Sequence, residues 1–111
     1  MIKKVGIWLI FAACILALNT ARAEEGEAIF KSQGCISCHK KAGASKVNPS
    51  LAEIAAAYQG KPEQLIKYLQ GESEAVVRPQ KASIMKRYVK RTQALSDAER
   101  QALADYILGQ Q

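Results

Sequence analysis

The segment Cys35-Ile36-Ser37-Cys38-His39 constrains this chain more than any other stretch of its sequence. Two thiols followed at once by an imidazole, in the spacing Cys-x-x-Cys-His, are typical of sites that attach haem covalently. On a helical turn, Cys35, Cys38 and His39 stand at positions i, i+3 and i+4 and share one face. The segment therefore predicts one covalently bound haem c, with Cys35 and Cys38 as its attachment points and His39 as an axial ligand of the iron.

Two other interpretations of the cysteines are weaker. A structural zinc site normally takes four nitrogen or sulfur ligands, and beyond residue 23 the histidines and cysteines of the chain are only Cys35, Cys38 and His39. A redox dithiol of the thioredoxin kind is expected beside a βαβ pattern, which this sequence lacks. Both therefore stay as minor alternatives to haem attachment.

Residues 1–23 are predicted to be a secretory signal peptide. Two lysines precede an apolar, uncharged run from Val5 to Leu18, and Ala21-Arg22-Ala23 is an A-x-A cleavage site. The run is shorter than the about 20 residues that a membrane-spanning helix needs, so an uncleaved anchor is the less favoured alternative. Lipidation at Cys14 is disfavoured because the apolar run continues beyond it. The sequence thus predicts export from the cytoplasm.

Cleavage after Ala23 would leave residues 24–111 as a single small domain. The net charge of the whole chain is +6, and the loss of Lys3, Lys4 and Arg22 lowers it to +3. A domain of this size buries little apolar surface, so a covalently bound haem would supply part of its core. We therefore expect the haem-free protein to be poorly folded.

The rest of the chain predicts four or five short α-helices and no strand. Ser50 and Ser96 each precede a glutamate by three residues, as N-caps of capping boxes do, and Pro62 suits a first helical position. Pro79 is expected to begin a short helical turn, whereas residues 85–93 are basic, weakly patterned and predicted to be a loop. The predicted helices cover residues 24–33, 50–58, 62–70 and 96–109.

Met85 is the candidate for a second axial ligand. A methionine opposite a histidine is typical of electron-transfer haems and raises their potential, and Met85 is the only methionine beyond residue 23. The alternative is that Met85 fills a core, as many methionines do.

A ligating histidine also commonly donates its second ring N–H to a backbone carbonyl. Pro49 is the candidate acceptor from His39, unless it serves only to start a helix.

A basic stretch surrounds Met85, and its members are Lys81, Lys86, Arg87, Lys90 and Arg91. If Met85 binds iron, these charges lie near that side of the haem and can steer an acidic redox partner in a salt-dependent way. The alternative is an ordinary solvated surface. Nucleic-acid binding is disfavoured for an exported haem protein.

Together these residues resemble the class I cytochromes c, the small bacterial cytochromes that carry one haem. The resemblance rests on the Cys35–His39 segment, on Pro49-Ser50-Leu51, on the single late Met85 and on the helix that follows Leu95. It implies a compact all-α fold of four or five short helices around one haem.

The resemblance also implies roles for single residues. His39 and Met85 would be the axial ligands, and the Pro49 carbonyl would accept from His39. Gly26 and Phe30 of the first helix would cross the last helix near Tyr106.

The function that the resemblance implies is one-electron transfer between Fe(II) and Fe(III), with no small-molecule substrate. The expected donor is a quinol-oxidising complex or a dehydrogenase, and the expected acceptor a terminal oxidase or a reductase. The protein is predicted to be a periplasmic carrier and not an enzyme. Two alternatives are a haem subunit of a larger enzyme complex and a haem enzyme or gas sensor with an open sixth position.

Overall fold

A computed structural model of the protein describes residues 21–43 and 47–110. Within these ranges the chain forms five α-helices and no strand. Helix α1 is described over residues 21–32, and it is followed by α2 (Leu51–Ala57), α3 (Pro62–Leu69), α4 (Ala82–Gln93) and α5 (Asp97–Leu108). Two short 3₁₀ turns cover Cys35–Ser37 and Pro79–Lys81.

The all-α fold class is therefore confirmed. Residues 1–20 of the predicted signal peptide lie outside the described residues, and its predicted cleavage site, residues 21–23, lies on α1. Among the described residues, no helix is both long and apolar enough to cross a bilayer.

The predicted N-caps start their helices through side-chain hydrogen bonds. Ser50 Oγ accepts from the Glu53 backbone N–H at 3.1 Å at the start of α2. At the start of α5, Ser96 Oγ accepts from the Glu99 N–H while Glu99 Oε1 accepts from the Ser96 N–H, both at 3.1 Å. These bonds satisfy donors that the first turn of a helix leaves unpaired, so the sequence places both helix starts correctly.

The predicted loop over residues 85–93 is wrong, because these residues belong to α4. The sequence does carry a helical spacing there, in Ile84, Met85, Tyr88, Val89 and Thr92. Basic residues interrupt it, and of the whole helix only Thr92 is buried. Most residues of this face line a cavity and do not pack on another helix, so the face lacks the continuous apolar stripe by which a core helix is predicted.

Helix α5 forms the centre of the core. Its buried apolar residues are Ala102, Leu103, Ala104, Tyr106 and Ile107. The other helices contribute Ile29 and Phe30 from α1, Leu51 from α2, and Leu65 and Leu69 from α3. Helices α1, α2 and α3 thus all pack against α5.

Helices α1 and α5 cross at Gly26. A Cβ atom added there would collide with the Ala102 carbonyl oxygen and lie 2.7 Å from Tyr106 Cβ, so only a glycine allows this approach. One turn further along α1, the Phe30 and Tyr106 rings lie 5.4 Å apart between centroids, at a tilt of 52°, an arrangement that aromatic pairs favour. The crossing expected from the family resemblance is present.

Substitution of Gly26 by valine is expected to force these helices apart. Overpacking of this kind costs about 1–3 kcal/mol of the free energy of unfolding, which chemical denaturation of the haem-loaded protein measures. Ala28→Val is the control, because Ala28 is exposed on the same helix and should lose only the small difference in helix propensity. Equal losses in the two variants would contradict the close crossing.

Candidate cofactor site

One open cavity is lined by all five residues that the sequence predicts for the site: Cys35, Cys38, His39, Pro49 and Met85. It encloses about 1230 Å³ of space free of protein atoms, part of it open to solvent. Most of its lining is apolar, including Phe30, Leu51 and Leu103 of the core. The fold therefore brings together residues that lie far apart in the sequence around a space suited to a large apolar group.

The Cys-x-x-Cys-His segment is wound into a turn directly after α1. Gly34 takes a left-handed conformation, with φ of 81°, and ends the helix. The N–H groups of Cys38 and His39 then both donate to the Cys35 carbonyl, at 3.2 and 2.9 Å. This is the helical turn that the sequence predicts, and it brings both sulfur atoms and the imidazole to one cavity.

The two thiols differ in their surroundings. Cys38 is exposed, whereas Cys35 is partly buried. Burial raises the pKa of the Cys35 thiol, a backbone hydrogen bond and the Arg91 guanidinium oppose this, and Cys38 adds slightly to the rise. Before any attachment chemistry the Cys35 thiol is therefore held mainly in its protonated form at neutral pH.

His39 is fixed by a hydrogen bond to Pro49. Its Nδ1 lies 2.9 Å from the Pro49 carbonyl oxygen, and because a carbonyl only accepts, Nδ1 must carry the proton. Nε2 then keeps the lone pair that a metal takes. Leu51 N–H donates to the Lys40 carbonyl at 2.8 Å, which ties the segment after His39 to the start of α2 and keeps Pro49 opposite the ring.

Met85 lies near the N-terminal end of α4, and not in a loop as the sequence predicted. Tyr88, Val89 and Thr92, which follow at helical spacing, line the same cavity. The partly apolar face of α4 is therefore turned to the cavity, and a bound group would cover it.

Sequence reasoning missed the tyrosines of the cavity wall. Tyr58, at the end of α2, and Tyr68, on α3, both line the cavity, and Tyr58 is only 3% exposed. Burial, and to a lesser extent the neighbouring Tyr68, raise the pKa of Tyr58 to about 12. In the sequence, both tyrosines stand at helical spacing from apolar residues. This spacing predicts that the rings are buried, but it does not show that they face the cavity.

Stability should respond to this tyrosine at alkaline pH. The pKa of Tyr58 is about 12 in the folded protein against 10 for the free group. The protonated phenol therefore contributes to the free energy of unfolding below pH 10, and this contribution is lost as the pH rises towards 12. The loss is about 2 kcal/mol. Tyr58→Phe should remove this part of the pH dependence, as measured by denaturant unfolding at several alkaline pH values.

A variant without an ionisable group serves as the control for that measurement. Ile54→Val, also in the cavity wall, should lower the free energy of unfolding by the same amount at every pH. If Tyr58→Phe also runs parallel to the wild type, the inferred titration of Tyr58 is wrong.

The donor set fits a haem better than a bare metal ion. Among the described residues, no three side chains of His, Cys, Asp or Glu are arranged to hold a metal ion, which speaks against the zinc interpretation. Two thiols at the rim of an apolar cavity, with an oriented imidazole and a thioether in its wall, suit a flat apolar macrocycle that is bound covalently and carries iron.

Comparison with known proteins decides the family. The family model for cytochrome c matches residues 23–111. The chain belongs to the cytochrome c family. It is 34% identical over 80 residues to cytochrome c-551 of Stutzerimonas stutzeri, covering 69% of this chain and 76% of that protein. It is 33% identical over 98 residues to cytochrome c-553 of Nitratidesulfovibrio vulgaris (strain DSM 19637 / Miyazaki F), covering 88% of each.

Membership of this family establishes the cofactor and the general activity. The cofactor is covalently bound haem c, and the protein is a haem electron carrier and not an enzyme. The resemblance stated from the sequence is thereby confirmed. The roles of single residues at the site are a separate question.

Proposed function

We propose that the protein is a periplasmic electron carrier in which Cys35 and Cys38 attach the haem and His39 and Met85 ligate its iron. One observation carries the proposal: the imidazole, with its Nδ1 bound to Pro49, lines the same cavity as the thioether and both thiols. The haem supplies the one-electron couple between Fe(II) and Fe(III).

The residues of the chain account for the rest of such a carrier. The Pro49 carbonyl holds the His39 ring in one orientation and makes it a stronger base. The apolar wall limits the contact between the haem and water. The iron would therefore have similar surroundings in the Fe(II) and Fe(III) states. With His39 and Met85 on the iron, no coordination site is left for a substrate, as expected of a carrier.

The proposal is tested by the spectrum and carbon monoxide binding of the haem-loaded protein. Ligation by histidine and methionine predicts a six-coordinate reduced spectrum, a weak near-infrared sulfur-to-iron band when oxidised, and slow carbon monoxide binding at neutral pH. Rapid carbon monoxide binding without the near-infrared band would instead favour the enzyme or sensor with an open sixth position. Stable co-purification with a larger enzyme would favour the subunit alternative.

Export is supported by residues 1–23, with their lysines, apolar run and A-x-A site. The mass of the protein recovered from the periplasm should correspond to residues 24–111 plus one haem. A recovered chain that keeps residues 1–23 in the membrane fraction would favour the uncleaved anchor.

A basic surface beside the cavity supports an acidic redox partner, such as a quinol-oxidising complex or dehydrogenase as donor and a terminal oxidase or reductase as acceptor. Its five side chains are all exposed: Lys81, Lys86, Arg87, Lys90 and Arg91. Four of them lie on α4, and Lys81 and Arg87 also belong to the cavity wall. A positive field at the mouth of the site raises the encounter rate with an acidic partner.

Neutralising part of this surface should slow electron transfer with an anionic reagent. The variant Lys86→Gln/Lys90→Gln is expected to reduce its oxidation rate by hexacyanoferrate(III) roughly two- to fivefold at low salt, with a weaker dependence on ionic strength. Stopped-flow kinetics at several salt concentrations measure both quantities.

Lys61→Gln/Lys67→Gln is the matched control for that experiment. It removes the same net charge from exposed positions at the start of α3 and on that helix. Equal slowing by the two pairs would show that only the net charge matters, and that the basic surface has no special place in docking.

A further inference from the structure

The protein contacts that hold helix α4 lie mainly at its C-terminal end. Among its residues Thr92, in the last turn, is the only one buried, while Ile84 near the other end is 49% exposed. The N-terminal half of α4, where Met85 lies, faces the cavity, so its position relative to the other helices depends on how the C-terminal end is held.

The C-terminal end of α4 is instead fixed by hydrogen bonds to other helix ends. Thr92 Oγ1 donates to the Leu69 carbonyl at 2.6 Å and Gln93 Nε2 donates to the Gln70 carbonyl at 2.9 Å, both where α3 ends. Arg91 Nη1 donates to the Gln33 carbonyl at 3.3 Å, where α1 ends. These contacts tie the last turn of α4 to two neighbouring helices.

Arg100 of α5 completes this attachment. Its guanidinium donates to three carbonyls at the end of α4, those of Thr92 (3.1 Å), Gln93 (3.0 Å) and Leu95 (2.7 Å). A fourth bond runs from Nη1 to Asp97 Oδ1 at 2.9 Å. Only a guanidinium offers enough donors in a fixed fork to satisfy such a set, and the carbonyls of a last turn otherwise lack partners.

Arg100 is a buried charged residue that takes no direct part in the electron-transfer site. The Arg100 side chain is 7% exposed, it does not line the cavity, and burying an arginine is costly unless its donors are satisfied. Its contacts all lie at the junction of α4 and α5. The side chain therefore fixes how α4 and α5 meet.

We propose that Arg100 is a positioning residue for Met85, because it fixes the end from which α4 extends along the cavity. The proposal rests on ligation by Met85. At 1.5 Å per residue, Met85 lies about 10 Å along the helix from Thr92, so a tilt of about 10° displaces it by about 2 Å. Loosening the junction then raises the fraction of molecules in which Met85 is off the iron.

The test uses the haem-loaded protein and imidazole, which competes with Met85 for the oxidised iron. Arg100→Met should increase the affinity for imidazole by on the order of tenfold and weaken the near-infrared band. Arg100→Lys, which keeps the charge and part of the donors, should fall between this variant and the wild type. If Arg100→Met yields no folded protein, Arg100→Lys carries the comparison.

Ile29→Ala separates positioning from general loss of stability. Ile29 is buried in the core on α1 and lies outside the cavity wall, so it should lower the melting temperature and leave the imidazole affinity unchanged. Equal gains in affinity in Ile29→Ala and the Arg100 variants, or none in either, would overturn the proposal for Arg100. A wild type that lacks the band and binds imidazole as tightly as Met85→Ala would refute ligation by Met85 itself.

Discussion

Replacement of Met85 by alanine is expected to abolish the near-infrared band of the oxidised protein and to lower its reduction potential by on the order of 0.1–0.3 V, within the about 0.8 V range that axial ligands set. A thioether stabilises Fe(II) over Fe(III), and water or an outside ligand in its place does not. Imidazole and carbon monoxide should then bind readily. Potentiometric titration and ligand binding measure the two effects.

Val89→Ala is the control for that result. Val89 lies one helical turn after Met85 and lines the same cavity, so its loss disturbs the wall without removing a ligand. We expect its band and its affinity for imidazole to match the wild type, with only a small shift in potential. A Met85→Ala protein with unchanged band and potential would show that another group, or none, occupies the sixth position.

The sequence predicted helices well where local signals were complete. The serine caps of α2 and α5 and Pro62 at the start of α3 lie where expected. In these segments the hydrogen bonds that start the helix are made by neighbours in the chain. The information needed to place them is therefore contained in a few consecutive residues.

The prediction failed for α4 because the contacts that stabilise this helix come from residues distant in the sequence. It has no side-chain N-cap, its apolar residues face a cavity, and its last turn depends on Thr92, Gln93 and the distant Arg100. A single sequence shows neither which helix face the cofactor covers nor the partners of the buried arginine. Such a segment therefore reads as a basic loop even though its spacing is helical.

The candidate site was predicted more fully than the fold around it. Cys35, Cys38, His39, Pro49 and Met85 were named from spacing and chemistry, and one cavity contains them all. Their roles as attachment points, ligands and orienting carbonyl stay predictions. Tyr58 was missed as part of the cavity wall and Arg100 as the residue that holds the end of α4, since their importance arises from long-range contacts and not from a motif.

The apolar wall of the cavity indicates that the haem is a structural element of this fold. A domain of this size has little apolar core of its own, and here many residues of α2, α3 and α4 line the cavity. Filling that space joins α4 to the remaining helices. The cofactor and the chain are thus expected to fold as one unit.

Removal of both attachment points should therefore unfold much of the protein. The variant Cys35→Ala/Cys38→Ala, which cannot form thioether bonds, is expected to lose most of its far-ultraviolet helical signal and its cooperative thermal transition, because the apolar wall is left facing water. Circular dichroism and thermal melting of the haem-free protein measure the loss.

Ser37→Ala is the control, because Ser37 is an exposed position between the cysteines. This variant keeps both thiols and should retain haem and fold. A haem-free double variant with full native helix and a cooperative transition would show that the five helices need no cofactor, and would leave the haem a purely functional role.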